Sequence, residues 1–404
     1  MLSKIVKIIL GILAVLVIAA GVIYQVRYKP MLRLFDPEVK TENFRTMDNI
    51  FPSNTIGASE SPSTIPVAST DAVFHLEDAG FDQSFDSILE GFNTTGFLVI
   101  RNDSILYENY YGGGDETSRF TSFSISKSIV SLLIGIAIDE GKIGSVEEPV
   151  DKYVPTLVGT GYEGVTIRNV LQMATGIKFS EDYDDPDSDI NQVMFKAFVD
   201  FEPLEEWITE FENEVPQGTK FHYQSINTEI LAVILKNLYA KSVSELLEQK
   251  IWQPMGAEAD AKWITDEHET EIAFGFLNAT LRDYARIGLL VLHDGEWNGN
   301  RIVSEEWMAR STVINPNEAR PAKGEGNDYQ FHWWIPKGNE QEVMASGYMG
   351  QVIYINPTRH VVIVKTGTEE AKHLPMIQAI AREISPLPVV PDSMMAVRQA
   401  AELP

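Results

Sequence analysis

From Ile125 to Ile138 the chain is apolar nearly all round, through Ile125, Ile129, Val130, Leu132, Leu133, Ile134, Ile136, Ala137 and Ile138. A helix of that kind has to be buried inside a layered core. Gly141 is placed to end it. Its first turn carries Ser124-Ile125-Ser126-Lys127, the one S-x-x-K tetrapeptide in the sequence. On a helix, positions i and i+3 share a face, so the lysine amine can reach the serine hydroxyl. A serine on the first turn also sits near unpaired backbone N–H groups and the positive end of the helix dipole. Those donors can stabilise an oxyanion when the hydroxyl attacks a carbonyl. The lysine must be neutral to act as base, and a buried helix supplies the desolvation that lowers its pKa. The plainer reading is a serine N-cap beside an incidental surface lysine. A buried helix speaks against it, because an unpaired lysine there is costly.

Composition narrows the function classes. The 404 residues carry a net charge of -26, which argues against nucleic acid, since phosphate binding needs a basic face. The excess acid reads as a solvated surface. With no Cys, a disulfide scaffold, thiol catalysis and Cys-ligated zinc are excluded. The seven His are scattered, without H-E-x-x-H, and there is no Walker loop or G-x-G-x-x-G, so neither metal nor cofactor is expected.

At the N-terminus, Lys4 and Lys7 precede an apolar stretch from Ile8 to Tyr24, followed by Arg27, Lys29 and Arg33. Residues 1–30 read as an uncleaved signal anchor crossing a membrane through 5–26; a cleaved signal at Ala19-Ala20 is the alternative. Residues 31–70, with the turn-rich Ser59-Glu60-Ser61-Pro62-Ser63, read as an extended linker. Phe97–Ile100 and Ile105–Tyr107, around the turn Arg101-Asn102-Asp103, read as a β-hairpin. Further strands are expected at Gln330–Ile335, Gln351–Ile355 and His360–Val364, and helices from Val165 through Leu171, over Ile226–Leu238 and over Pro375–Ile384. Strands at both ends with helices between them predict one α/β (α+β) domain over 71–385, its sheet built from sequence-distant strands. A mostly helical subdomain is expected over roughly 140–285, and a loose Pro-rich tail over 386–404.

Two more segments carry chemistry. Tyr223-Gln224-Ser225 lies just ahead of the second apolar helix, where a tyrosine could share protons with Lys127; in isolation it reads as an aromatic packed on the core. Asn227 reads as a local cap or turn residue. Ala345-Ser346-Gly347-Tyr348-Met349-Gly350-Gln351 leads into a strand, with glycines that let backbone approach a ligand.

In order, these pieces resemble the serine β-lactamase and penicillin-binding-protein superfamily, most of all its class C and esterase branch, which includes the 6-aminohexanoate-dimer hydrolases. The likeness runs from about Gly96 to Ile384. It rests on Thr121–Ser128, Thr166–Gly176, Tyr223–Ser225, Asn278–Arg286 and Ala345–Gln351. The resemblance implies an antiparallel sheet flanked by helices. It makes Ser124 the acylated nucleophile, Lys127 its base partner and Tyr223 a second general acid/base. The N–H groups of Ser124 and Tyr348 would form the oxyanion hole, and Tyr183, Ser225 and Gly347 would meet substrate. An exported catalytic domain follows from the same likeness.

Two departures narrow the chemistry. Ser225 stands where class C enzymes have Asn, and Ala345-Ser346-Gly347 stands where they have Lys-Thr-Gly. The literal Lys365-Thr366-Gly367 falls too late in the chain, after the last strand. The basic group that grips a β-lactam carboxylate is therefore missing. The expectation is a hydrolase of esters or short amides; the alternatives are a β-lactamase or D-Ala peptidase, or a catalytically silent membrane-anchored binding protein.

Overall fold

The computed structural model describes residues 2–68, 72–314, 326–338, 340–369 and 373–385. The expected Pro-rich tail lies outside the described residues. The framing helices are α1 (Leu2–Ile23), α2 (Phe85–Gly91), α3 (Ile125–Asp139), α4 (Ile226–Tyr239), α5 (Leu281–Leu292) and α6 (Leu374–Ile384).

The predicted hairpin is formed by β1 (Thr94–Arg101) and β2 (Ser104–Tyr110), turning at Asn102 and Asp103, both in the left-handed region. Residues of these types tolerate the positive φ that a tight hairpin turn requires. Five strands from the other end of the chain complete the sheet: β3 (Asp328–Gln330), β4 (Trp333–Ile335), β5 (Val343–Gly347), β6 (Gln351–Asn356) and β7 (Val361–Gly367). The order is β2-β1-β7-β6-β5-β4-β3, antiparallel throughout. The mixed helix and antiparallel-sheet fold is thus the expected one.

Alternation along the strands divides the core in two. In β7, Val362 and Val364 join the larger cluster, while Val361 and Ile363 face the other way. Leu98 and Ile100 of β1 match the first set, Phe97 and Val99 the second. The larger cluster contains α3, α4 and α5; the smaller lies under α2 and α6. Gly288 lets α5 approach closely, since a Cβ there would stand 2.5 Å from Val362.

Three expectations need correction. The described part of residues 31–70, up to 68, is not an extended linker. Ser53–Ile56 pairs with Ala261–Ile264 at the edge of a second sheet completed by Leu277–Thr280 and Arg119–Thr121. Leu34, Phe44, Met47, Phe51, Ile56 and Ile65 are buried in the main core. Ser63, in the turn-rich stretch, is locked: its Oγ donates to the Met255 carbonyl at 3.0 Å and accepts from Arg286 Nε at 3.1 Å. The helical region also ends earlier than residue 285, because Leu277–Thr280 is a strand and α5 packs on the large sheet. Finally, Gln330–Ile335 is two short strands, not one. Phe331 (φ 41°) and His332 (φ 67°) turn the chain between them, with none of the residues that usually announce such a turn.

α1 precedes the domain. Its 22 residues give roughly 33 Å of helix at the standard rise, enough by length and composition to cross a hydrocarbon core. The most apolar window has a mean hydropathy of 2.9, and none of it is buried against the protein.

Candidate active site

α3 is buried from Ile125 to Ala137, as its all-round apolarity requires, and Gly141 ends it with φ 69°. Ser124 occupies the N-cap position without using its side chain as a cap, so the hydroxyl is left for other partners. Phe123 just before it has φ 41°, an uncommon conformation for a bulky residue and one held here by packing. Its ring sits 5.1 Å from that of Phe44 and 5.5 Å from that of Phe276.

Lys127 Nζ lies 2.8 Å from Ser124 Oγ and donates to the Phe274 carbonyl at 2.7 Å. Its side chain is fully buried. Burial pushes the Lys127 ammonium down to about 7, with the Glu181 carboxylate opposing part of that shift. Tyr223 reaches the same point from the segment ahead of α4. Lys127 Nζ is 5.2 Å from the Tyr223 ring centroid. Burial and the Glu181 charge hold the Tyr223 phenol above its ordinary value, so it stays protonated. Its ring is stacked 5.8 Å from Trp334 of β4.

β5 delivers the opposite wall. A Cβ on Gly347 would stand 2.2 Å from the Ser122 carbonyl and 3.1 Å from Ser124 N, so glycine alone lets this strand end lie against the serine backbone. Tyr348 starts the turn Tyr348–Gly350 that follows. Its ring stacks on Tyr183 at 4.9 Å. Ser225 is bound through both N–H (2.8 Å) and hydroxyl to Glu181, which also accepts from Tyr183 Oη at 2.6 Å. Asn227 is not a cap: it is buried within α4 and accepts from Tyr162 Oη at 2.9 Å.

The residues singled out in the sequence therefore converge on one cleft, of about 660 Å³, whose lining includes Ser124, Tyr183, Ser225 and Tyr348. Lys365-Thr366-Gly367 ends β7 itself rather than following the last strand, and β6 separates it from Gly347. Lys365 is fully buried with Nζ 3.3 Å from the Gly350 carbonyl, behind the turn.

Two contributors escaped the sequence reading. Glu181 is one acid in an acidic loop, and nothing local says which one folds inward. Glu229 is buried in the first turn of α4, where its Oε2 accepts from Ala273 N at 3.1 Å. That segment supplies two further carbonyls to the site: Phe274 O receives Lys127, and Ala273 O receives Ser126 Oγ at 3.0 Å. An acid within a strongly apolar helix was the available signal. Burial keeps its carboxyl pKa well above the ordinary range.

Comparisons with known proteins agree with this architecture. A family model described as Beta-lactamase matches residues 81–379. A 6-aminohexanoate-dimer hydrolase of Paenarthrobacter ureafaciens is 32% identical over 289 residues, 69% of this chain and 73% of that protein. A Bacillus anthracis structure described as a 6-aminohexanoate-dimer hydrolase matches with a TM-score of 0.79 at 24% identity, covering 88% of this chain and 97% of that one. A penicillin-binding protein from Bacillus halodurans matches with a TM-score of 0.58 at 15% identity, covering 73% and 98%.

Proposed function

The chain belongs to the beta-lactamase family of hydrolases, and from that premise we propose that it cleaves carboxylic esters or short amides through an acyl-enzyme on Ser124. The observation that carries this reading is the buried Lys127 amine 2.8 Å from Ser124 Oγ. With its pKa brought down to about 7, a useful fraction of Lys127 is neutral at physiological pH and can accept the serine proton. Ser124 Oγ then attacks the substrate carbonyl. The resulting oxyanion is received by the N–H groups of Ser124 and Tyr348, which the fit of Gly347 against Ser124 supports. Tyr223, kept protonated, hands a proton to the leaving alcohol or amine and is reprotonated from Lys127. Water then attacks the acyl-serine, losing a proton to the same pair, and the pair passes that proton to Ser124 Oγ as the acid leaves, which restores the serine, Lys127 and Tyr223.

Ala345 in the third segment, with Lys365 held behind the turn, leaves no described basic side chain in the cleft for a β-lactam carboxylate. This favours esters and amides over β-lactams. We place residues 1–30 as an anchor, with the catalytic domain on the exported side. A fluorophosphonate probe tests the core claim. It should label the wild type and spare Ser124→Ala; equal labelling of both overturns the assignment.

A further inference from the structure

The cleft wall is unusual for so acidic a chain. The sequence has 58 acidic and 32 basic residues, yet among the described residues no charged side chain lines the cleft. The lining away from Ser124 is mostly apolar, with Asn191 and Gln192 as polar members: Met31, Leu34, Phe35, Phe51, Ile190 and Phe198 form much of it. Its size falls in the usual range for small-molecule sites. A linear dimer of 6-aminohexanoate has an ammonium at one end and a carboxylate at the other; the walls away from Ser124 offer neither end a counter-charge, and the Glu181 carboxylate beside the site is engaged by Ser225 and Tyr183.

The mouth carries the second observation. Leu32 (69% exposed), Phe35 (44%) and Phe195 (40%) line the cleft while showing much of their surface to solvent. Such a patch marks an apolar contact rather than a soluble polar substrate. Leu32 lies nine residues beyond Ile23, the end of α1, so it stands within roughly 14 Å of that end at the helical rise. The intervening turn Tyr24–Tyr28 packs on Lys196–Asp200, the segment holding Phe198. The cleft thus opens beside the point where an apolar helix of membrane-spanning length leaves off. Phe35, at the same mouth, reaches inward to within 6.2 Å of the Phe123 ring and 6.1 Å of the Tyr348 ring, the two residues flanking the nucleophile site.

We propose that the substrate is an amphiphile of the membrane interface, an ester or amide whose medium-to-long acyl chain runs from Ser124 along Phe35 and Phe198 to Leu32 and Phe195. The proposal rests on the acyl-enzyme reading and names its acyl group. Serine attack transfers the acyl chain to Oγ, with the serine proton passing to the released alcohol or amine; water then breaks the acyl–Oγ bond, its hydroxyl joining the fatty acid and its proton returning to Ser124 Oγ.

The test is a p-nitrophenyl ester series from acetate to decanoate, with the full-length chain reconstituted in phosphatidylcholine vesicles. Each buried methylene is worth up to about fourfold in kcat/KM, so octanoate should exceed acetate by at least tenfold. Leu32→Glu and Phe195→Glu change exposed positions and leave the core intact; each should cut the octanoate-to-acetate ratio about tenfold. A wild-type ratio near one, or a ratio unmoved by both variants, overturns the proposal while acetate turnover and labelling of Ser124 leave the hydrolase standing. Absence of both labelling and turnover removes the acyl-enzyme reading, and this proposal with it.

Discussion

The Gly347 backbone and the Ser122 carbonyl stand so close that a single added methyl would bring carbon and oxygen to 2.2 Å. Neither side can yield cheaply, because one belongs to β5 and the other leads into the Phe123 turn. Gly347→Ala should therefore push the strand end from Ser124 N and spoil the proposed oxyanion pocket. We expect kcat to fall by about 10²–10³, as for loss of one oxyanion donor, with a stability loss of about 1–3 kcal/mol from overpacking. Steady-state kinetics and urea melts check the two effects separately.

Lys127 predicts a pH profile. As the proposed base Lys127 must be neutral, and its pKa is lowered to about 7, so kcat/KM should climb through about pH 7 and then level off. Lys127→Ala should lower kcat by ~10²–10⁴. Near-normal turnover in that variant contradicts the assignment.

Glu181 opposes the lowering of the Lys127 pKa, because its carboxylate favours the ammonium. Glu181→Gln removes that charge. The rising limb of the profile should move to lower pH, which a pH series of kcat/KM reads directly.

Tyr223→Phe keeps the ring against Trp334 and deletes only the hydroxyl. The melting temperature should stay close to that of the wild type while kcat drops by about 10²-fold or more. Since the phenol is held above its ordinary value of 10.0, Tyr223 should add no descending limb below pH 10 in the wild type.

Glu229 has a stability signature. A carboxyl whose folded pKa is raised contributes its full stability below the unfolded value near 4.5 and loses it as pH rises toward the folded value. Glu229→Gln cannot titrate. Wild-type stability should match the variant near pH 4 and fall behind it towards pH 8, by up to ~1.4 kcal/mol per pH unit. Parallel curves for the two proteins across that range contradict a buried neutral carboxyl.

What the sequence disclosed followed from local geometry. Ser124 and Lys127 share one face of one helix, and the all-round apolarity of α3 announces its burial. The hairpin at Asn102-Asp103 is marked by residues that accept positive φ. The remainder depends on tertiary partners. Phe44, Met47 and Phe51 have helical spacing, but the run is too short to stand out and Leu34 and Ile56 lie outside it, so nothing local says they are core. Phe331-His332 adopts a turn its residue types disfavour, because the neighbouring strands impose it. Glu181 matters through Ser225, 44 positions away.

With α1 in the proposed role of anchor, the short path from it into the cleft wall carries a kinetic consequence. The turn and helix over Tyr24–Leu32 leave no slack, and Phe35 is already wedged between Phe44 and Tyr348. In a bilayer, such a catalytic body has little freedom to roll or lift away. It would search for substrate in two dimensions, and its velocity would follow the number of substrate molecules per unit of membrane area. Diluting the same substrate with inert lipid should then slow the enzyme, even at constant bulk concentration.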